Sequence, residues 1–147
     1  MLSELVLRVR HAIYRTFAEG GVPRSAALSA QLKIPIDELR AAYQQLHEAR
    51  AIVLDERTKE VWMALPFSAV PTPHRVTSGE RSWYANCAWD AFGIPALVKG
   101  EMRIDSACGD CDAPIVYRVE RGRILDPHGV AHFVVPAARW WDNIGYT

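Results

Sequence analysis

Length, composition and charge describe a small neutral chain: 147 residues, half of them hydrophobic, with 17 basic and 17 acidic side chains. That suffices for one compact domain or two very small ones sharing a core, and the lack of a basic surplus argues against nucleic acid as a partner. Because no apolar run is long enough to cross a bilayer and the three cysteines are an odd number, we expect a soluble cytoplasmic protein with no membrane partner and no disulfide framework.

Residues 1–64 predict a winged helix-turn-helix domain, that is, three helices followed by a β-hairpin. Apolar side chains recur at helical spacing in three segments, which Gly20-Gly21 and Pro35 help to delimit. Acidic Asp37 and Glu38 begin the third helix, where they would meet DNA phosphates poorly, so we interpret the domain as structural. The predicted helices cover residues 3–19, 25–31 and 35–49, and the predicted strands cover residues 51–54 and 60–63.

Residues 65–82 are interpreted as a linker, since repeated prolines block both a helix and a central strand. Residues 83–147 predict a small mixed or antiparallel sheet with short helices, which makes the fold class α+β. A short helix is expected from Trp83 to about Phe92, ended by Gly93-Ile94-Pro95. The predicted strands cover residues 98–105, 113–119, 123–125 and 131–135.

Two residues of the predicted helix at 83–92 are candidates for chemistry, because Cys87 and Asp90 are three apart and share a helical face. Cys87 lies early in that helix, where the dipole favours a thiolate, and thiolates bind soft metals. The Asp90 carboxyl group beside it could hold or deliver a proton. A Cys-x-x-Asp pair also fits a buried structural cysteine next to a solvated aspartate, so both interpretations stay open.

A second pair of cysteines, Cys108 and Cys111, forms a CxxC motif in the segment SACGDCDAP. Two such thiols can chelate a metal or form a redox pair. A zinc site is not expected because neither a second CxxC nor a helical histidine pair follows, and a thioredoxin-like role is not expected because the motif is not followed by a long helix. The other interpretation is a tight Gly-Asp turn with one buried and one exposed thiol.

Taken in order, four segments resemble the organomercurial (alkylmercury) lyase family: LPFSAVPTPHRV, WYANCAWDAFGIPALV, ACGDCDAPI and HFVVPAARWWDNIGYT. The resemblance covers most of the chain and is most specific in NCAWDAFGIPAL. It implies that Cys87 is the mercury-binding thiolate, that Asp90 transfers the proton, and that Cys108 is structural. The implied reaction is protonolysis of an organomercurial to a hydrocarbon and Hg(II), with no organic cofactor and with small external thiols needed for turnover.

The resemblance also requires a second mercury-binding thiol. In the family a further essential cysteine often follows a segment like WWDNIGYT, with which this sequence ends. We therefore expect Trp140–Thr147 to line the Cys87 cavity and the second thiol to follow it, with Cys111 as the other candidate metal ligand. An apolar pocket for the organic group is expected from Trp83, Tyr84, Trp89, Phe92, Trp140 and Trp141.

Two other functions are compatible with the same sequence. One is a non-catalytic binder of soft metals or organometals that senses or sequesters its ligand and regulates transcription through the winged helix. The other is an enzyme on the same scaffold that acts on a different substrate.

Overall fold

The computed structural model describes residues 2–145, which form four α-helices and an eight-stranded antiparallel sheet. The predicted α+β class is therefore confirmed. No helix in this part of the chain combines the length and the apolar character needed to cross a membrane. The helices are α1 (Glu4–Ala18), α2 (Ser25–Leu32), α3 (Ile36–Glu48) and α4 (Ala88–Leu97), and a 3₁₀ helix covers Ala137–Asp142. The strands are β1 (Val53–Leu54), β2 (Val61–Ala64), β3 (Phe67–Ser68), β4 (Arg75–Ser78), β5 (Arg81–Ala85), β6 (Met102–Ala107), β7 (Pro114–Glu120) and β8 (Arg123–Ile124).

The three N-terminal helices form where the apolar spacing predicts them and pack on one another. Ser3 caps α1, because its hydroxyl oxygen accepts a hydrogen bond from the Val6 N–H at 3.3 Å. Burying each large apolar side chain of such a face stabilises the fold by about 1.5–3 kcal/mol. The buried side chains of α1 and α3 are Val6, Val9, Ala12, Ile13, Phe17, Leu39, Ala42, Tyr43 and Leu46.

The hairpin that follows α3 is also present, with β1 and β2 antiparallel and Leu54 opposite Val61. Asp55 stabilises its turn, since one carboxylate oxygen accepts hydrogen bonds from both the N–H and the hydroxyl of Thr58 at 2.7 Å. β2 then pairs with β3, so the hairpin is the edge of a longer sheet. The interpretation of this region as a winged helix stays a prediction.

The proline-rich segment at residues 65–82 contributes strands to the sheet, which differs from its interpretation as a linker. β3 and β4 lie within it, and the strand order is β1-β2-β3-β5-β4-β6-β7-β8. Pro66 precedes β3, while Pro71 and Pro73 lie between β3 and β4, where no ladder N–H is needed. One sheet therefore runs through all three predicted parts of the chain, and the division into two domains stays a prediction.

The predicted helix from Trp83 to Phe92 is wrong in its first half. Residues 81–85 form β5, in which Trp83 pairs with Val76 and alternate side chains are buried. The helix α4 begins at Ala88 and includes Gly93-Ile94-Pro95, which was expected to end it. Gly93 is needed there for close packing, since a Cβ at this position would lie 3.1 Å from the Cβ of Pro66.

The predicted strand at residues 131–135 is wrong as well. Residues 125–136 contain neither helix nor strand, and the side chains of Val130 and Val134 are 94% and 78% exposed. The final strand β8 has only two residues and offers too short an edge for a further partner. The apolar run of 131–135 instead lies beside α4, where it lines a cavity.

Candidate active site

Cys87 lies between β5 and α4, and its sulfur caps the helix. Its backbone is extended, with φ of −144° and ψ of 176°, and Sγ accepts a hydrogen bond from the Asp90 N–H at 3.4 Å. This position is usually held by Ser, Thr, Asp or Asn, whose oxygen makes the same bond. Cys87 is thus placed at the cap, just before the first turn, with its side chain half-buried.

Asp90 is held in place by Asn86, the first residue of the segment NCAWDAFGIPAL, to which the sequence analysis assigned no role. The Asn86 Nδ2 donates one hydrogen bond to Asp90 Oδ2 and another to the Phe67 carbonyl oxygen, both at 3.2 Å. Phe67 belongs to β3, which pairs directly with β5. The sheet therefore fixes the amide of Asn86, and the amide orients the carboxylate of Asp90.

Burial dominates the electrostatics of Cys87 and Asp90. It raises the pKa of the Cys87 thiol, while the hydrogen bond from the Asp90 N–H lowers it by less. Burial therefore favours the neutral thiol, which is opposite in direction to the effect expected from the start of the helix. Burial also raises the pKa of the Asp90 carboxyl, against hydrogen bonds from Asn86 and Cys87 that lower it.

The structure brings the Cys87 and Asp90 side chains together. The two side chains are close enough to affect each other's pKa: Asp90 contributes to the raised pKa of the thiol, and Cys87 acts to lower that of the carboxyl group. A carboxylate beside a thiol can take up its proton when another group bonds to the sulfur.

Cys87 opens into a cavity of about 330 Å³, which lies within the range of roughly 300–1,000 Å³ typical of small-molecule sites. The start of α4 forms one side of this cavity, and residues 131–135 with Trp140 form the other. The Phe133 ring bridges the two sides, since its centroid lies 5.9 Å from that of Trp89 and 5.3 Å from that of Trp140. This apolar lining suits an organic group next to the sulfur.

The aromatic residues predicted for the pocket lie in different surroundings. Trp83 is buried in the core, where its Nε1 donates a hydrogen bond to the Phe17 carbonyl oxygen at 2.6 Å. Of the predicted tail lining, Trp140 does line the Cys87 cavity, whereas Tyr146 and Thr147 lie outside the described residues. Trp89 and Trp140 line the Cys87 cavity and Phe92 lines a neighbouring one, while Trp83, Tyr84 and Trp141 line neither.

The neighbouring cavity is larger, about 820 Å³. His74 lines it, and the His74 Nδ1 lies 2.8 Å from the Ser106 hydroxyl oxygen. Burial lowers the pKa of His74, which favours the neutral ring. The two cavities are contiguous, because they share the lining residues Ala88, Trp89, Ala131, His132 and Val134.

The CxxC motif forms the turn between β6 and β7, as one of the two interpretations expected. The Cys108 N–H donates to the Ala113 carbonyl at 2.9 Å, and the Asp112 N–H donates to the Cys108 carbonyl at 3.0 Å. Asp112 has a φ of +56°, a left-handed conformation that aspartate tolerates in turns. Cys108 is partly buried and lines the larger cavity, while Cys111 is exposed and lines neither cavity.

The first helix reaches the vicinity of the same site through Tyr14. Its hydroxyl donates to the Leu65 carbonyl oxygen at 3.3 Å and lies 3.4 Å from that of Ala51. Burial is the main cause that raises the pKa of Tyr14, and the negative charge of Asp90 adds to it. Tyr14 of α1 therefore lies near enough to Asp90 to sense its charge, a proximity that the sequence pattern alone did not indicate.

Together, the fold and the site describe a small α+β protein in which the thiol of Cys87 lines an apolar cavity, while the neighbouring Asp90 lines neither of the two cavities. The alkylmercury lyase family model matches residues 67–147, more than half of the chain. The chain belongs to this family.

Individual relatives and a solved structure agree with this assignment. The chain is 32% identical over 91 residues to an alkylmercury lyase of Bacillus cereus, a match that covers 62% of this chain and 39% of that protein. It is 29% identical over 113 residues to one of Staphylococcus epidermidis, covering 77% of this chain and 50% of the relative. The chain therefore spans half or less of the length of these relatives.

In fold, the chain is similar to a solved structure described as the mercury-bound form of MerB2. The TM-score is 0.68 at 22% sequence identity, and the match covers 85% of this chain and 60% of that one. At this identity the likeness concerns the fold alone.

Proposed function

We propose that this protein cleaves carbon–mercury bonds by protonolysis, with Cys87 as the mercury ligand and Asp90 as the proton donor. The observation that carries the proposal is the position of Cys87, which lines an apolar cavity and accepts a hydrogen bond from the backbone N–H of Asp90. Soft mercury prefers sulfur to oxygen or nitrogen ligands, and the cavity has aromatic walls for the organic group. The alkylmercury lyase family gives this chemistry its context.

The proposed capture step begins from the neutral thiol. As the Cys87 sulfur bonds to the mercury of R–Hg–X, the leaving ligand X departs with its electron pair. The neighbouring Asp90 carboxylate accepts the thiol proton at the same time. The products of this step are a Cys87–Hg–R adduct and a protonated Asp90 carboxyl group.

In the proposed cleavage step, the protonated Asp90 delivers its proton to the carbon bound to mercury. The electron pair of the carbon–mercury bond becomes the new carbon–hydrogen bond, the hydrocarbon leaves, and Hg(II) stays on sulfur. The raised pKa of Asp90 suits this role, because burial favours the protonated carboxyl group that the step consumes. Asn86 is the proposed positioning residue, since it holds the carboxylate at 3.2 Å.

A second sulfur on mercury would push electron density toward carbon and weaken the carbon–mercury bond. We propose that a small external thiol supplies it and later removes Hg(II). The Cys87 cavity lies next to a larger one with which it shares wall residues, and this larger cavity would offer such a thiol space near the site. Cys111 remains the other candidate from this chain, although its side chain lines neither cavity.

The proposed role of the N-terminal helices is structural, with no nucleic-acid partner. The Trp83 bond to Phe17 and the Tyr14 contacts tie α1 to the sheet and to the walls of the site. The family match does not favour the alternative of a non-catalytic regulator.

The test is release of benzene from a phenylmercury salt with excess small thiol, measured by gas chromatography. The unaltered protein should release benzene, and Cys87→Ser should not exceed the background without protein. Asp90→Asn should still bind phenylmercury one to one. It should release benzene at least about 100-fold more slowly, since a positioned general acid raises the rate by about 10²–10⁴. Benzene release by Cys87→Ser, or full-rate release by Asp90→Asn, would show that the assigned roles are wrong.

A further inference from the structure

The CxxC turn between β6 and β7 has features that packing does not require. Cys111 is exposed, and Cys108 lines the larger cavity. The two cysteines lie three residues apart in one turn, which the bonds from the Cys108 N–H to Ala113 and from the Asp112 N–H to Cys108 hold closed. The neighbouring Cys111 thiol is among the causes that lower the pKa of the Cys108 thiol.

From this arrangement we propose that Cys108 and Cys111 together form a chelating site for Hg(II), separate from Cys87. The choice of Hg(II) as the occupant rests on the proposed function, in which this ion is the product released a cavity away. The site itself needs only the two thiols and their turn.

The number of ligands selects for mercury over harder metals. Among the described residues, no group of three or more His, Cys, Asp or Glu side chains could hold a metal ion. A structural zinc site needs four such ligands, so the CxxC turn alone would bind zinc weakly. Hg(II) is soft and is satisfied by two thiolates, which this turn can supply from one chain.

The position of the turn relative to Cys87 supports the same inference. Cys108, Gly109 and Asp110 line the larger cavity, and that cavity shares wall residues with the one at Cys87.

The test measures Hg(II) held against competition, in a Cys87→Ser protein that lacks the other thiol. Reduced protein receives one equivalent of mercuric chloride, then excess glutathione, and is desalted before mercury is counted by mass spectrometry. Because both thiols belong to one turn, the chelate should hold Hg(II) about 100-fold more tightly than a lone cysteine. We expect one Hg(II) retained per monomer by Cys87→Ser and its loss in Cys87→Ser/Cys111→Ser.

Cys111→Ser is a mild change, since this side chain is exposed, and circular dichroism would check that the double variant remains folded. Mercury retained equally by both variants, by neither, or only in a dimer seen by gel filtration would overturn the proposal. Benzene release by the unaltered protein is a separate readout. If benzene is not released but Cys87→Ser holds Hg(II), the proposed function fails while this site stands.

Discussion

Replacing Cys87 separates two roles of one sulfur atom, since it caps α4 and is also the proposed mercury ligand. Cys87→Ser keeps a short side chain that can accept the hydrogen bond from the Asp90 N–H, and serine is a preferred N-cap residue. Cys87→Ala removes the acceptor and leaves that N–H without its partner. Both variants should bind one phenylmercury fewer than the unaltered protein, but only the alanine variant should lose the cap.

The size of the difference follows from the cap geometry. Loss of an N-cap acceptor costs about 0.5–2 kcal/mol in the free energy of unfolding. The bond here is 3.4 Å long and made to sulfur, a weak acceptor, so the unaltered protein should lie at or below the stability of Cys87→Ser. We expect Cys87→Ala to be less stable than Cys87→Ser by about 0.5–2 kcal/mol, which lowers Tm by roughly 2–8 °C for a chain of this size.

The measurement is thermal unfolding followed by circular dichroism, together with phenylmercury binding by mass spectrometry of the intact protein. The Cys111→Ser variant is the matched control, because it removes an exposed thiol that caps no helix. Equal stability of Cys87→Ala and Cys87→Ser would refute the capping role of the sulfur. The same number of phenylmercury groups bound by Cys87→Ser as by the unaltered protein would refute the role of Cys87 as the ligand.

Three further predictions concern residues around the site. Asn86→Asp replaces the amide donor with a second negative charge, so the pKa of Asp90 should rise and the pH profile of benzene release should move to higher pH. The pKa of Asp90 in the folded protein is raised above 3.8. The contribution of Asp90 to stability is therefore greatest below pH 3.8 and is lost as the pH rises through the folded pKa. Asp90→Asn should remove this decline, as measured by urea denaturation across the pH range. Trp83→Phe removes the 2.6 Å hydrogen bond to the Phe17 carbonyl and should lower the free energy of unfolding by about 1–3 kcal/mol.

Each of these has a control and a contrary outcome. Asn143→Asp adds the same charge at an exposed position and should leave the pH profile in place; an unshifted profile for Asn86→Asp would argue against its positioning role. A parallel pH dependence of stability in Asp90→Asn and the unaltered protein would show that another group titrates. Trp83→Phe as stable as the unaltered protein would mean that the bond to Phe17 is not needed.

The periodicity of apolar residues predicted the helices correctly, because a helix is stabilised by contacts between residues close in sequence. The helices α1 and α3 carry long apolar stripes at helical spacing, so their existence and ends follow from periodicity. The segment Trp83–Ala85 is a short apolar run that fits a strand or a helix equally well. It becomes β5 because β3 and β4 lie on either side of it, and both partners come from a proline-rich stretch with weak strand signals.

The sequence pattern likewise predicted only part of the candidate site. The spacing of Cys87 and Asp90 places them together whether the first is inside the helix or caps it. The importance of Asn86 depends on the carbonyl of Phe67, which is distant in sequence and reaches it only through strand pairing. The raised pKa of Cys87 likewise depends on burial by the whole fold, which no single motif encodes.

The bond between the Cys87 sulfur and the Asp90 N–H gives the site a built-in spectroscopic reporter. When mercury bonds to the sulfur, it withdraws electron density from the atom that accepts the hydrogen bond of this N–H. The amide resonance of Asp90 should therefore shift in a ¹⁵N-correlated spectrum as mercurial is added, while amides in the middle of α4 stay in place. Occupancy of the site can thus be followed at one backbone position, without a chromophore, an attached label or turnover of substrate.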